Sequence, residues 1–251
     1  MKRHPSILPK NKKEVELRAK ITFMVLLALC VSMAFSLDTV KNLRLSADGI
    51  EKLEIDCGAG YLYLSGDASL DSIEVEAEII AKGKSDRDEE KYIEENVRLE
   101  LKKRGSRAVL VSNFENSRFW DNFRTRVINL KVRMPKNMNL YIDDGSGEMR
   151  VEQIIGRVEI DDGSGEIRID DIHGDVSIDD GSGTIDVRGV FGNLYIDDGS
   201  GTIDVRNVEQ NVRVDDGSGS ITISDVGGDV IIEDDGSGSL NIRNVKGKVI
   251  K

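Results

Sequence analysis

Gly174-Asp175-Val176-Ser177-Ile178-Asp179-Asp180-Gly181-Ser182-Gly183-Thr184-Ile185-Asp186-Val187-Arg188-Gly189-Val190-Phe191 is one unit of a repeat that fills the C-terminal part of this chain. Its centre, Asp-Asp-Gly-Ser-Gly, occurs six times, with first aspartates Asp143, Asp161, Asp179, Asp197, Asp215 and Asp234 spaced 18, 18, 18, 18 and 19 residues apart. A short fixed period marks a chain that stacks one supersecondary unit on the next. Within the unit, Val176 and Ile178 alternate with polar neighbours, and so do Ile185 and Val187. That alternation predicts two strands, each with one buried face. Gly-Ser-Gly between them tolerates positive φ and lets the chain turn. A second turn is expected near Gly174, Gly192 and Gly228, with Val190 inward on a short third side.

Strand-turn-strand units can form antiparallel hairpins or a parallel solenoid. The strict period favours the solenoid, because equivalent residues then pair with themselves at about 4.8 Å. A left-handed hexapeptide helix also has about 18 residues per coil but needs an aliphatic every sixth position. The inward residues here are Val176, Ile178, Ile185, Val187 and Val190, which breaks that rule. The expected fold is all-β: a right-handed parallel β-solenoid over residues 141–251, with an irregular strand-rich N-terminal part at 37–140. The 19-residue spacing, in Val230-Ile231-Ile232-Glu233-Asp234, predicts a β-bulge in the last full coil. Lys246, Lys248 and Lys251 surround the edge at Val249-Ile250 and are expected to discourage end-to-end pairing, so a monomer is expected.

The N-terminal part carries its own signals. Residues 1–20 hold seven Lys or Arg against two Glu, followed by the apolar run Ile21 to Phe35. This order reads as a secretory signal over residues 1–36, with an uncleaved membrane anchor as the alternative. Cys30 lacks the small preceding residue that lipidation expects, since Leu29 stands there. Removal of this segment leaves Cys57 alone and excludes an intramolecular disulfide. Leu53 to Leu64 aligns with the repeat unit without a gap, Ile55 on Ile178 and Cys57 on Asp180, so a degenerate coil is expected there. Ser72–Ala81 reads as a strand, Asp86–Asn96 as a helix capped by Ser85, and Val97–Leu101 with Ala108–Val111 as paired strands around Gly105. Phe119, Trp120 and Phe123 form an aromatic cluster expected to pack against the solenoid.

Charge is concentrated in the repeat: residues 141–251 hold 25 acidic and 10 basic side chains, net −15, against 19 and 18 in residues 38–140. Nucleic acid is therefore not an expected partner, because phosphate recognition needs a basic footprint. By alternation the second aspartates, Asp144, Asp162, Asp180, Asp198, Asp216 and Asp235, share the inward parity of the aliphatics. They are expected to accept hydrogen bonds from the turn amides. The first aspartates point outward, where like charges one coil apart repel by about 0.9 kcal/mol at the dielectric of water. Such a ladder attracts cations, so Asp143, Asp161, Asp179, Asp197, Asp215 and Asp234 are the candidate metal ligands and Ca²⁺ the candidate ion. The calcium-binding nonapeptide pattern is absent, and the expectation is charge screening without a bound cofactor. No nucleophile has an evident base partner, and the histidines are His4 and His173. An enzyme is not expected; a polysaccharide-active one is the remote alternative, behind a calcium-dependent binding module.

The segment Val132-Arg133-Met134-Pro135-Lys136-Asn137-Met138-Asn139-Leu140-Tyr141-Ile142, followed by Gly-x-Ile-x-Val coils, resembles a bacterial "putative adhesin" family of β-strand-repeat domains. The Ile-x-x-Gly-x-Gly-x-Leu-x-Leu opening at Ile55–Leu64 belongs to the same resemblance. The resemblance covers about residues 40–251 and implies an exported β-solenoid with no established active site. It assigns no functional residues, and the uniform Asp-Asp-Gly-Ser-Gly is stricter than the family's turns. The function expected is that of a non-enzymatic, adhesin-like interaction or structural protein, extracytoplasmic, in the periplasm or at the cell surface, with an envelope or surface partner.

Overall fold

Alternation at period two, broken by glycine turns, produces the strands that dominate a computed structural model of the chain, which describes residues 39–82, 86–115 and 125–251. The signal segment, Ser85 and the Phe119–Phe123 cluster lie outside the described residues. The unit Thr39–Lys251 starts with β1 (Thr39–Ser46), β2 (Lys52–Asp67), β3 (Ser72–Lys82), helix α1 (Asp86–Asn96), β4 (Val97–Arg104), β5 (Arg107–Phe114), β6 (Thr125–Pro135) and β7 (Asn139–Ile154). Short and long strands then alternate: β8 (Val158–Asp162), β9 (Gly165–Ile172), β10 (Val176–Asp180), β11 (Gly183–Val190), β12 (Leu194–Asp198) and β13 (Gly201–Val208). The last are β14 (Val212–Asp216), β15 (Ser218–Val226), β16 (Val230–Asp234), β17 (Ser237–Val245) and β18 (Val249–Ile250).

β7 pairs in parallel with both β8 and β9, and from there on short strands pair with short strands and long with long. Each residue meets its own equivalent one coil away, as in Asp161↔Asp179↔Asp197 and Ile167↔Ile185↔Ile203. This is the stacked-coil parallel β-solenoid. Val176, Ile178, Ile185, Val187 and Val190 are all buried, as are their counterparts in the neighbouring coils. The bulge falls where the spacing predicts: Val214 pairs with Ile232 but Asp215 with Asp234, leaving Glu233 extra.

Two features of the coil differ from the sequence reading. The long strand bends once before it ends, at Gln153, Asp171, Gly189, Asn207, Asp225 and Asn244, which all have φ between 54° and 70°. Asn, Asp and Gly tolerate this left-handed conformation best, and they hold five of the six positions. The bend turns Val190 and its equivalents into the core, and the ladder continues past it through Phe191 N–H to Ile172 O at 2.8 Å. The other feature is the strength of the glycine requirement at the acidic turn. Gly183 has φ +150°, and a Cβ there would fall 1.8 Å from the carbonyl oxygen of Gly165.

The degenerate coil is β2, which lies on β7 in parallel register with Ile55 on Ile142, Cys57 on Asp144 and Leu64 on Val151. Its other edge is covered by β5, from Lys52↔Arg107 to Cys57↔Ser112, and by β6, from Leu62↔Leu130 to Asp67↔Pro135. The chain thus builds one coil, lays a later one beneath it, and returns above it. Antiparallel strands finish that end, β4 on β5, β3 on β6 and β1 on β3. Tyr92 and Ile93 of α1 are buried.

The glycine geometry yields a graded test. Gly183→Ala should cost about 3 kcal/mol or more, because a Cβ there can move neither itself nor the backbone it meets. Gly105→Ala, at φ +65° with nothing within 4 Å, should cost only about 1–2 kcal/mol for its left-handed backbone. Chemical denaturation of both variants checks the order.

Candidate functional site

The Asp-Asp-Gly-Ser-Gly corner stacks two columns of carboxylates, one on each face of the short strands. The inner column comprises Asp144, Asp162, Asp180, Asp198 and Asp216, each at most 5 % exposed. In four of them Oδ1 accepts the backbone N–H of the serine two residues on, at 3.3, 3.1, 3.0 and 3.0 Å for Asp162, Asp180, Asp198 and Asp216. This is the Asx turn that short polar side chains make at a corner. The opposite oxygens, Oδ2 of Asp162, Asp180, Asp198 and Asp216, are buried with no hydrogen-bond partner.

Burial, with the neighbouring carboxylates adding to it, pushes Asp180 and Asp198 up to about 6 and Asp144 to about 7. Burial raises Asp162 and Asp216 as well, against the pull of the turn amides. Cys57 continues the column at the N-terminal end, its thiol hydrogen-bonded to Asp144. Burial and then the Asp144 charge hold Cys57 as a neutral thiol, unsuited to nucleophilic work.

Asp235 requires a correction. Expected to turn inward, it is exposed. After the extra Glu233, Asp234 pairs with Asp215, and its Oδ1 accepts the Gly236 N–H at 2.8 Å. β18 pairs with β16 only at Val230 and Ile231, so no further strand covers this corner and Asp235 stays exposed.

The outer column runs Asp56, Asp143, Asp161, Asp179, Asp197 and Asp215 in register. Asp143, Asp161, Asp179 and Asp234 are exposed, Asp197 and Asp215 half-buried. Asp56 is bonded by Asn113 Nδ2 at 2.7 Å. Asp143 is raised by burial, then by the charges of Asp161 and Asp56. Among the described residues no three His, Cys, Asp or Glu side chains converge on a point that would hold a metal ion. One ligand per coil, spread along the stack, makes a line of charge and not a coordination cage.

A second ladder, at the next corner, had escaped the sequence reading. Asp175, Asn193, Asn211 and Asp229 occupy one position in successive coils. Asn193 Nδ2 donates to Asp175 Oδ1 at 3.1 Å and Asn211 Nδ2 to Asn193 Oδ1 at 3.0 Å. The same carbonyl and carboxylate oxygens cap backbone N–H groups one coil on, as in Asp229 N–H to Asn211 Oδ1 at 2.9 Å. The signal was the recurrence of Asn and Asp at an 18-residue spacing just before β10, β12, β14 and β16.

The third side presents one row of exposed side chains. Ile155 and Phe191 are 42 % and 38 % exposed, and between them His173 stacks on Phe191 with centroids 4.1 Å apart and planes within 9°. His173 Nε2 lies 3.1 Å from Asp171 Oδ1. Beyond Phe191 the row changes to Glu209, Gly227 and Lys246, and a groove of about 720 Å³ opens there along Asn207, Asp225 and Asn244. On the long-strand flank, Arg150–Glu152 and Arg188–Asp186 close as exposed ion pairs at 3.0 and 2.6 Å, which contribute little to stability.

No protein-family model and no curated protein matches this chain. Among solved structures it is similar to a "putative cell adhesion protein" from Clostridium sporogenes, at 12% identity and a TM-score of 0.43, over 84% of this chain and 97% of that one. It is also similar to a "putative lipid binding protein" from Parabacteroides distasonis, at 14% identity and a TM-score of 0.38, over 85% and 97%. A "putative adhesin" from Bacteroides fragilis is similar at 11% identity and a TM-score of 0.32, over 84% and 96%.

If the outer column is a line of charge, cations act on it by screening alone. NaCl and CaCl₂ at equal ionic strength should raise the melting temperature equally, and Asp179→Asn with Asp197→Asn should shrink both gains together. A rise specific to millimolar Ca²⁺ and lost in that variant would instead establish a calcium site.

Proposed function

We propose that this chain is an exported, non-enzymatic interaction protein of the bacterial envelope. Its solenoid serves as a frame, and its third side holds the partner. The observation that carries this reading is the exposed row Ile155–His173–Phe191, whose last member, Phe191, lines the groove. Exposed apolar side chains that adjoin a groove give a partner apolar area to bury. Phe191 has one face against His173 and lines the groove together with Asn207, Asp225 and Gly227. A partner can therefore bury apolar area on the ring while amide and carboxylate groups fix its orientation. In-register strands on either side keep these groups at fixed spacing, so little ordering is needed on binding.

Export is supported by the basic, apolar and small-residue order of residues 1–36. The net charge of −15 over residues 141–251 argues for a partner that is not itself strongly acidic.

Cell fractionation with N-terminal sequencing tests the location, and a full-length cytoplasmic product would refute it. Phe191→Ser with Ile155→Ser should reduce binding of the purified protein to envelope fractions about tenfold or more while leaving its melting temperature within a few degrees. Unchanged binding would remove the third side from consideration.

A further inference from the structure

The inner aspartate column poses a problem that the corner's turn geometry does not solve. Five carboxyl groups, Asp144, Asp162, Asp180, Asp198 and Asp216, sit one above another in the interior at no more than 5 % exposure. Asx turns need one oxygen of each. The other oxygen in Asp162, Asp180, Asp198 and Asp216 faces no donor. A buried carboxylate oxygen without a donor is among the more costly arrangements a fold can hold, and here it recurs in four consecutive coils. A non-acidic group adds an independent sign of the same deficit. Ser112 pairs with Cys57 one layer further down the column, and its buried Oγ is also without a partner.

The charges around the column offer no relief. Those acting on Asp180 come from Asp162 and Asp179, and those on Asp198 from Asp180, Asp216 and Asp197. Asp162 feels Asp161. At one end Asp144 meets Asp162 and the Cys57 thiol, and at the other Asp216 meets Asp234, Asp235 and Asp215. None of these is a cation. The remaining inward side chains of each coil are aliphatic, Val176, Ile178, Ile185, Val187 and Val190 in the coil of Asp180. A metal ion is not indicated, since no three ligating side chains converge among the described residues. What such a column lacks is hydrogen, and a carboxyl group can bind its own.

We propose that the inner aspartate column is a proton-binding site, in which carboxylic acids and carboxylates share protons from one coil to the next. The geometry has a precedent in the same molecule. At the neighbouring corner Asn211 and Asn193 donate to the equivalent side chain one coil away at 3.0 and 3.1 Å. A protonated aspartate is the near-isostere of asparagine, with an O–H where asparagine has an N–H. At the same coil spacing its O–H can reach the carboxyl next in line. Each shared proton supplies a donor to an orphaned oxygen and removes a like-charge repulsion, and the protons come off the column as a coupled set.

The consequence for stability has a definite sign. Protons bind the folded column more tightly than the unfolded chain, so the folded state holds more of them between the ordinary aspartate range near 3.8 and the raised values of about 6 to 7. Stability therefore rises as pH falls through that window and is lost as pH rises through it. Below the unfolded range the gain is complete and the slope ends. Most acidic proteins weaken on acidification because paired carboxylates are protonated; this solenoid tightens first.

The test uses the full chain and two readouts. Melting temperature is measured from pH 8 to pH 4.5 at fixed ionic strength for the wild type, for Asp162→Asn/Asp180→Asn/Asp198→Asn, and for the outer-column control Asp161→Asn/Asp179→Asn/Asp197→Asn. Wild type and outer control should gain several degrees on acidification. The inner variant should melt higher than wild type at pH 8 and show a flattened pH response. An inner variant less stable than wild type at pH 8, or one with an undiminished pH slope, overturns the proposal. Carboxyl ¹³C titration of the wild-type protein gives a second measure that needs no variant. At least two aspartates should titrate above about pH 5.5, and if every aspartate titrates below pH 5 the column is not a proton site.

Discussion

Parallel pairing of every residue with its own equivalent one coil away is the constraint on which the rest of this structure depends. It makes the solenoid a device for stacking like on like. Where the repeated residue is aliphatic, as at Ile167, Ile185, Ile203 and Ile221, stacking fills the core continuously and no coil needs to be stable alone. Where it is glycine, as at Gly165, Gly183 and Gly201, stacking brings backbones so close that a Cβ would strike a carbonyl oxygen. Where it is asparagine, the amide offers both a donor and an acceptor along the stack, and a ladder closes. Where it is aspartate, the same register sets charge on charge.

The two aspartates of each corner meet that last condition differently because they face different media. On the outer face the carboxylates stand in or near water, where high dielectric and mobile ions reduce their repulsion. On the inner face neither is available. There the turn amides stabilise one oxygen and the deficit at the other persists through four coils. Cys57 and Ser112 occupy the same inward position at the N-terminal end, so the polar column runs beyond the acidic repeat, and its character changes from acid to thiol to hydroxyl. The corner is thus both the punctuation of the coil and its most strained chemistry. The third side, by contrast, is where the repeat relaxes: Ile155, His173, Phe191, Glu209, Gly227 and Lys246 share a position but not a chemistry.

Much of this was legible in the residues themselves. Period-two alternation identified the inward set, the 19-residue spacing located the bulge within Val230–Asp234, and the gapless match of Leu53–Leu64 to the repeat identified β2 as a degenerate coil. The inward parity of the second aspartates was visible too, for Asp144 through Asp216. Asp235 escaped because alternation reports which face a residue takes and not whether a further strand covers it, and β18 covers β16 only at Val230 and Ile231. The corner at Gln153, Asp171, Gly189 and Asn207 escaped because Asn and Asp in a polar stretch are compatible with either a strand exterior or a left-handed bend.

The sequence alone therefore determined the coil: its length, its buried face, its glycine turn and its acidity, all of which follow from periodicity and local backbone chemistry. Only the tertiary structure decided the order of the layers. That β5 and β6 slide beneath β2 before β7 returns above it depends on which strand edges remain unpaired once the coils form, and an unpaired edge belongs to no single stretch of chain. The orphaned oxygens of the inner column are of the same kind. Whether a buried carboxyl finds a donor is settled by every group that surrounds it, and those groups come from coils 18 residues apart in the chain.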